Sequence, residues 1–458
     1  MEDTSEKSIE KILDGQKKFF SANLTKNLKF RIESLKKLKA AIKKFEKKIT
    51  DALWTDLHKS YQEAYLTEIS FVIHEIDIHL KHIRRWAKPK RAATPVYLLP
   101  SRSRILYEPL GVALIVAPWN YPFMLLMTPV VGAISSGCCG IIKPSPYTPN
   151  VAGVIEEMIH EIYPSEYFNV AQGGRKVNEF LFAQRFDMIF FTGSPSVGKV
   201  VMKAAAENLT PVVLELGGKS PCIVDENANI EIAAKRIAWG KTINAGQTCI
   251  APDYLFVHEA VKDELLQKIG RHIEKMYGNE IQQSEYFPRI VNNQAFDRLE
   301  KLLQHGNIKF GGKTDRNDKY ISPTIVDEVK PDFPVMQEEI FGPILPVLTY
   351  SKVDEALYYI NSNEKPLAFY YFGKNKKAKD VLAHSTSGGA CINDTILHIA
   401  NQNMPFGGVG NSGVGKYHGY DSFLAFSNRR SVVFTPTWID LAFRYVPFRN
   451  FKWVKKIM

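Results

Sequence analysis

The sequence predicts an α/β protein built on parallel sheets. Short apolar runs alternate with amphipathic stretches from Val112 onward, and each run ends in a polar or glycine-rich loop. The chain has 458 residues, enough for two or three domains with a large core. Apolar residues make up 45% and charged residues 23%, the usage of a soluble globular protein. No apolar run reaches the roughly eighteen residues a membrane helix needs, and the start, Met1-Glu2-Asp3-Thr4-Ser5, lacks a signal-peptide core. The five cysteines, Cys138, Cys139, Cys222, Cys249 and Cys391, are odd in number and without metal-ligand spacing. Free thiols in a reducing cytoplasm and no metal site are therefore expected. Cys138 and Cys139 read as small buried hydrophobes.

Taken in order, Leu35, Leu38, Ile42, Phe45, Ile49 and Leu53 recur at three- and four-residue spacing. They predict an amphipathic helix with lysines on its outer face. A second helical pattern runs from Glu63 to Trp86 and stops before Pro89. Val96 to Leu99 and Ile105 to Tyr107 flank Pro100-Ser101-Arg102 and read as two short strands around a turn. The alternating series then begins: strands over 112–116, 139–142, 188–191 and 212–214, with helices over 150–162 and 197–207 between them. A second series follows Gly218, with strands over 222–224 and 254–257 and a helix over 231–242. Ligands of such sheets bind at the carboxyl ends of the strands. Asn120, Lys143, Gly193 and Glu215 all follow strands and are expected to converge there.

Several short segments carry chemistry. Gly246-Gln247-Thr248-Cys249 presents a thiol after a turn, Glu215-Leu216-Gly217-Gly218 a carboxylate before two glycines, and Pro118-Trp119-Asn120-Tyr121-Pro122 an amide in a proline-bracketed loop. A nucleophile, a base and an oxyanion donor are thus in hand. Alone, Cys249 would more often be a buried structural thiol than a nucleophile. Glu215 has a plainer reading as a salt-bridged surface carboxylate, which its place between Val212-Val213-Leu214 and Gly217-Gly218 argues against. Phe191-Thr192-Gly193-Ser194-Pro195-Ser196-Val197-Gly198-Lys199 joins a strand to a helix whose free N–H groups suit a phosphate, although it is neither GxGxxG nor a P-loop.

Together with Gln337-Glu338-Glu339-Ile340-Phe341-Gly342-Pro343 and Pro405-Phe406-Gly407-Gly408, these segments resemble the aldehyde dehydrogenase superfamily over roughly residues 10 to 450. The run Pro405 to Gly419, with Arg444-Tyr445-Val446-Pro447-Phe448, resembles its class 3 branch, which includes dimeric and fatty-aldehyde enzymes. Some members of that branch end in a hydrophobic anchor; the residues Lys452-Trp453-Val454-Lys455-Lys456-Ile457-Met458 do not read as one, and none is expected. The resemblance implies a Rossmann-like cofactor domain (residues 1–90 and 110–217), an α/β catalytic domain (218–417), a small β bridging and oligomerisation element (91–109 and 425–446) and a basic aromatic tail (447–458). It implies oxidation of an aldehyde to the acid with NAD or NADP. Cys249 would be the nucleophile, Asn120 and the Cys249 N–H the oxyanion donors, and Glu215 the base for thioester hydrolysis. The dinucleotide would lie on Trp119, Lys143, Ser145, Gly193, Ser194, Gly198, Leu216, Gly217, Glu339 and Phe341. Tyr61, Tyr121, Thr395, Ile396, Phe406 and His418 are candidates for an apolar substrate pocket, fitting a medium- or long-chain aliphatic or an aromatic aldehyde. His418 also reads as structural and Phe341 as core packing.

Two departures from the family pattern stand out. Lys143-Pro144-Ser145-Pro146 replaces the frequent Lys-Pro-Ser-Glu, which removes a carboxylate that would bond a ribose 2′-hydroxyl and repel a 2′-phosphate. With Arg175 and Lys176 nearby in sequence to the adenosine end, NADP is expected to be accepted. Cys138 stands where the family usually has asparagine. Three alternatives stay open: an enzyme that passes the acyl group to coenzyme A, a catalytically silent binding protein, and a basic nucleic-acid or membrane-surface protein. The last rests on a net charge of +11 and on a tail with Arg429, Arg430, Arg444, Arg449, Lys452, Lys455 and Lys456 against Asp440, interleaved with Trp438, Phe443, Tyr445, Phe448, Phe451 and Trp453. A tail packed on the body or on a partner subunit is the plainer reading. The expected partner is a second copy in a homodimer, with no nucleic acid and at most weak membrane-surface contact by the tail.

Overall fold

The computed structural model describes residues 2–448 and 451–457. Met1, Arg449, Asn450 and Met458 lie outside it, as do the side chains of Phe443, Trp453, Val454 and Ile457. Two sheets dominate. The first has six strands in the order Gly413–Val414, Val212–Leu216, Met188–Gly193, Val112–Val116, Cys139–Lys143 and Phe168–Val170. All pairs are parallel except the edge strand Gly413–Val414, which runs antiparallel to Val212–Leu216. The second has seven strands, with Pro221–Val224, Tyr254–His258, Ile344–Tyr350 and Ala368–Phe372 at its centre. Val112–Val116 and Cys139–Lys143 are buried at every position, which is why they read as unbroken apolar runs rather than alternating ones.

The expected helices are present. Leu28–Leu57 starts on the Asn27 side chain, which accepts from the Lys29 N–H, and ends at His58 in a left-handed conformation. Its predicted stripe, Leu35, Leu38, Ile42, Phe45, Ile49 and Leu53, is buried. The second pattern is a continuous helical run from Tyr61 to Trp86, interrupted by a π-turn at Tyr65–Ile69. Cys138 and Cys139 are fully buried, as expected of small hydrophobes.

A third, antiparallel sheet joins Lys90–Ala92, Arg102–Pro109 and Ser427–Phe434. Here one expectation fails. Val96 to Leu99 is not a strand: Val96–Leu98 forms a 3₁₀ turn, and the charged segment Lys90–Ala92 pairs with Arg102–Pro109 instead. Pro95 and Pro100 bracket the segment and can donate nothing to a ladder, and Val96 and Leu99 lie exposed. In the tail, the described residues form a 3₁₀ turn Ala442–Arg444 and a helix Phe451–Ile457. Trp438, Tyr445, Phe448 and Phe451 are exposed, so these aromatics do not pack on the chain's own body. Among the described residues no helix is long and apolar enough to cross a membrane.

Candidate active site

The thiol segment sits between the two large sheets, and its turn is held in an uncommon shape. Asn244, Ala245 and Gly246 have φ of 51°, 51° and 71°, three successive left-handed residues. At Gly246 a Cβ would come within 2.3 Å of the Gly342 carbonyl oxygen, so glycine is obligatory there. The buried Gln247 side chain fixes the turn: Nε2 donates to the Asn244 and Arg289 carbonyls at 3.1 and 3.0 Å, and Oε1 accepts from Val291 N–H at 3.0 Å. Asn244 N–H donates to Glu63 at 2.9 Å. Burial raises the Glu63 carboxyl to about 7.

Cys249 follows, in the wall of an apolar cavity of about 450 Å³. Asn120 and Glu215 line the same cavity, so the thiol, amide and carboxylate expected to act together are brought together. Part of the Cys249 surface is open to the cavity, yet the residue sits deep in the chain. Burial, and then the carboxylates Glu339 and Glu215, push its thiol up from its ordinary value. Asn120 donates one amide hydrogen to the Gln247 carbonyl at 3.1 Å, and Asn244 donates to the Asn120 carbonyl at 2.8 Å. Glu215 is the penultimate residue of the strand Val212–Leu216, opposite Gly413. Neither of its carboxyl oxygens has a hydrogen-bond partner among the described residues. Burial raises it well above the carboxylate range, opposed by the nearby Lys416 ammonium. Gly407 makes room for it, since a Cβ there would meet Glu215 Oε1 at 2.6 Å. An unpartnered buried carboxyl costs stability, so its place at a cavity it shares with a thiol is not accounted for by packing.

The residues expected to hold a dinucleotide form the other end of the cavity. Trp119, Gly193, Ser194, Leu216, Gly217, Glu339 and Phe341 line it. Lys143, Ser145 and Gly198 do not, and stand further along the same edge of the six-stranded sheet. A second, more polar cavity of about 280 Å³ shares Gly217 and Glu339 with the first. Three features fit an anionic dinucleotide. Ser194 caps the helix Pro195–Ala206, whose first turn faces this edge. Glycine at 217 permits close approach, because a Cβ would reach 2.0 Å from Glu339 Oε2. The buried Lys143 amine, lowered to about 8 by burial, donates to the Pro144 carbonyl at 2.8 Å. Burial, with the charge of Asp253, raises Glu339 to about 8. Phe341 holds φ of 51° against Trp119, strain that simple core packing does not ask for.

A profile of the aldehyde dehydrogenase family matches residues 1–432. The chain belongs to the aldehyde dehydrogenase family. It is an oxidoreductase that uses NAD or NADP, and its relatives fall in the class 3 branch. The 4,4′-diaponeurosporen-aldehyde dehydrogenase of Staphylococcus aureus is 48% identical over 98% of this chain and 98% of that one. The dimeric, NADP-preferring aldehyde dehydrogenase of Rattus norvegicus is 41% identical over 93% of this chain and 94% of that one. The structure of Staphylococcus aureus AldH in a substrate-bound state superposes with a TM-score of 0.96, at 48% identity over 98% of this chain and 99% of that one.

The apolar end of the cavity, where the sequence led us to expect a substrate pocket, differs in part from that expectation. Tyr121, Ile396 and Phe406 line it. Thr395 and His418 stand behind the wall. Thr395 is buried and its hydroxyl donates to the Arg236 carbonyl of the helix Ile230–Thr242 at 2.9 Å, so it is spent on that helix and not on the cavity. His418 stacks on the far side of Phe406, with centroids 5.2 Å apart, and burial lowers its imidazole to about 4. Tyr61 is exposed and bonds Glu46 at 2.8 Å. The wall residues the sequence did not disclose include Leu66, Phe71, Met124, Trp239, Ile243 and Leu397. The available signal was an apolar Leu66 on the polar side of a predicted helix; the others read as ordinary core.

Proposed function

We propose that this aldehyde dehydrogenase oxidises an apolar aldehyde to the free acid through a covalent adduct on Cys249. One observation carries the reading: Cys249, Glu215 and Asn120 face one cavity, and the end of it formed by Phe71, Met124, Trp239, Ile243, Leu397 and Phe406 is apolar. The Cys249 thiolate adds to the aldehyde carbon. The oxyanion takes the second amide hydrogen of Asn120 and the Cys249 N–H. The bound dinucleotide's chemical service is to accept hydride. What remains on Cys249 is a thioester, and Glu215 takes a proton from the water that hydrolyses it. A free, unpartnered Glu215 supports water as the acyl acceptor over coenzyme A.

The dinucleotide would contact Trp119, Gly193, Ser194, Leu216, Gly217, Glu339 and Phe341, with Lys143, Ser145 and Gly198 toward its adenosine end. Pro146 at the end of Lys143-Pro144-Ser145 and the exposed Arg175, paired with Glu179 at 2.7 Å, support acceptance of NADP. The rat relative's name points the same way. Leu66 and Leu397, exposed at the cavity's rim, support a substrate whose apolar chain extends beyond it. The sheet containing Ser427–Phe434, whose outer strand edge is free, supports a homodimer with this sheet at the interface. The cofactor, catalytic and bridging domains would take the boundaries 1–90 with 110–217, 218–417, and 91–109 with 425–446.

The test is reduced-nicotinamide formation from a panel of aldehydes of increasing chain length, with NAD and NADP in parallel. Turnover without coenzyme A that vanishes in Cys249→Ala is the expected result. Turnover only after coenzyme A is added would replace the hydrolytic reading with an acylating one.

A further inference from the structure

We propose that the buried ion pair Lys59–Glu68 is a positioning device for the Asn120 amide, a role that rests on the oxyanion reading above. Both side chains are completely buried, and their nearest atoms are 2.6 Å apart. Desolvating two charges costs several kcal/mol per ion, and an apolar pair of the same volume is often as stable or more so. Stability is therefore a poor reason for this pair to exist, and its remaining bonds show another. Glu68 Oε2 accepts from the N–H groups of Phe123 and Met124, at 2.9 and 3.2 Å. These belong to the start of the helix Met124–Ser136, where amides lack intrahelical partners. Lys59 Nζ donates to the Asn120 carbonyl at 3.2 Å and lies 4.2 Å over the Tyr121 ring. The pair thus fastens both ends of the segment 120–124, and the Asn120 side chain hangs from its first residue.

Local structure at both partners serves this contact. Lys59 directly follows the left-handed His58, which ends the helix Leu28–Leu57 and turns the chain inward. Glu68 lies inside the π-turn Tyr65–Ile69, and Leu66 and Thr67 of the same turn line the cavity. Such single turns concentrate at functional sites. Neither Lys59 nor Glu68 lines the cavity, so they act through Asn120 and not on the substrate.

The experiment is a double-mutant cycle between Glu68→Gln and Asn120→Ala in the full-length enzyme with saturating cofactor. Glu68→Gln is expected to lower kcat/KM for aldehyde about 10- to 100-fold, as loss of an orienting partner does elsewhere, with cofactor Kd unchanged. In the Asn120→Ala background the same change is expected to cost less than about threefold, because the group it positions is gone. Equal losses in both backgrounds would overturn the proposal. Asn120→Ala with full activity would instead remove the oxyanion reading, and the positioning role with it. The variant Lys59→Met/Glu68→Leu replaces both charges with apolar groups and is read by its thermal midpoint as well. A kept midpoint with lost kcat/KM supports positioning; kept kcat/KM at any midpoint overturns it.

Discussion

The two ends of the main cavity meet at Cys249 and are made of opposite materials. One end is Phe71, Met124, Trp239, Ile243, Leu397 and Phe406, with no charged side chain among them; the other presents Glu339 and Gly217, with Lys143 beyond. The apolar end can discriminate by length and shape, because it offers a substrate burial and little else, about 0.8 kcal/mol per methylene. The polar end can discriminate by charge at named positions. The thiol and Glu215 belong to both, and the same burial that favours an apolar chain pushes their protons on more tightly.

The largest way to break the comparison is at the shared residues. Cys249→Ala is expected to abolish turnover with every aldehyde and either cofactor. Glu215→Gln is expected to lower kcat about 10²- to 10⁴-fold and leave a thioester that accumulates, visible as trapped acyl-enzyme by intact-mass measurement. Both groups act deprotonated and both are shifted upward. Turnover is therefore expected to rise with pH through neutrality into the alkaline range, as measured by a pH–rate profile; a profile falling over that range would contradict the assignment.

Next in size is the turn that carries the thiol. Gly246→Ala forces a Cβ against the Gly342 carbonyl at a left-handed φ. A loss of about 2–4 kcal/mol in unfolding free energy is expected, by denaturant melts, together with activity toward all substrates. A third change sharpens the comparison by touching one end alone. Leu397→Asp at the rim is expected to lower kcat/KM for long-chain aldehydes about tenfold or more, with little effect on short ones and none on cofactor KM. The smallest effect is expected at the far polar end. Pro146→Glu places a carboxylate where the proposed reading puts the adenosine end and is expected to shift the NADP-to-NAD ratio of kcat/KM about tenfold toward NAD, an energy of about 1.4 kcal/mol.

The sequence disclosed the polar end far better than the apolar one, for a physical reason. Gly193, Ser194, Glu215 and Gly217 stand where strands end and a helix begins, so residue type marked them, and they do line the cavity. Val112–Val116 and Cys139–Lys143 were legible because strands buried on both faces are continuously apolar. Phe71, Met124 and Trp239 carry no such mark: an apolar residue in a cavity wall and one in the core look alike until packing separates them. The same ambiguity misplaced Thr395 and His418, which lie one layer behind Ile396 and Phe406. The strand expected at Val96 to Leu99 failed because local apolarity outweighed two prolines in the reading, whereas in the molecule backbone donors decide. Lys59 and Glu68 stayed hidden because nothing in a lysine and a glutamate nine residues apart, one between two helical patterns and one within the second, marks them as buried.

The π-turn at Tyr65–Ile69 has a consequence for how this protein can vary. A π-turn carries one residue beyond the regular count, and each residue advances a helix by about 100°. The stretches before and after it are therefore out of phase. Removal of a single residue there would restore a regular helix and rotate Leu66 and Thr67 away from the cavity relative to Val72, Ile76 and Ile83, which are buried in the core. An insertion or deletion of one residue, neutral in most surface helices, would here exchange the lining of the substrate chamber while leaving the rest of the helix seated.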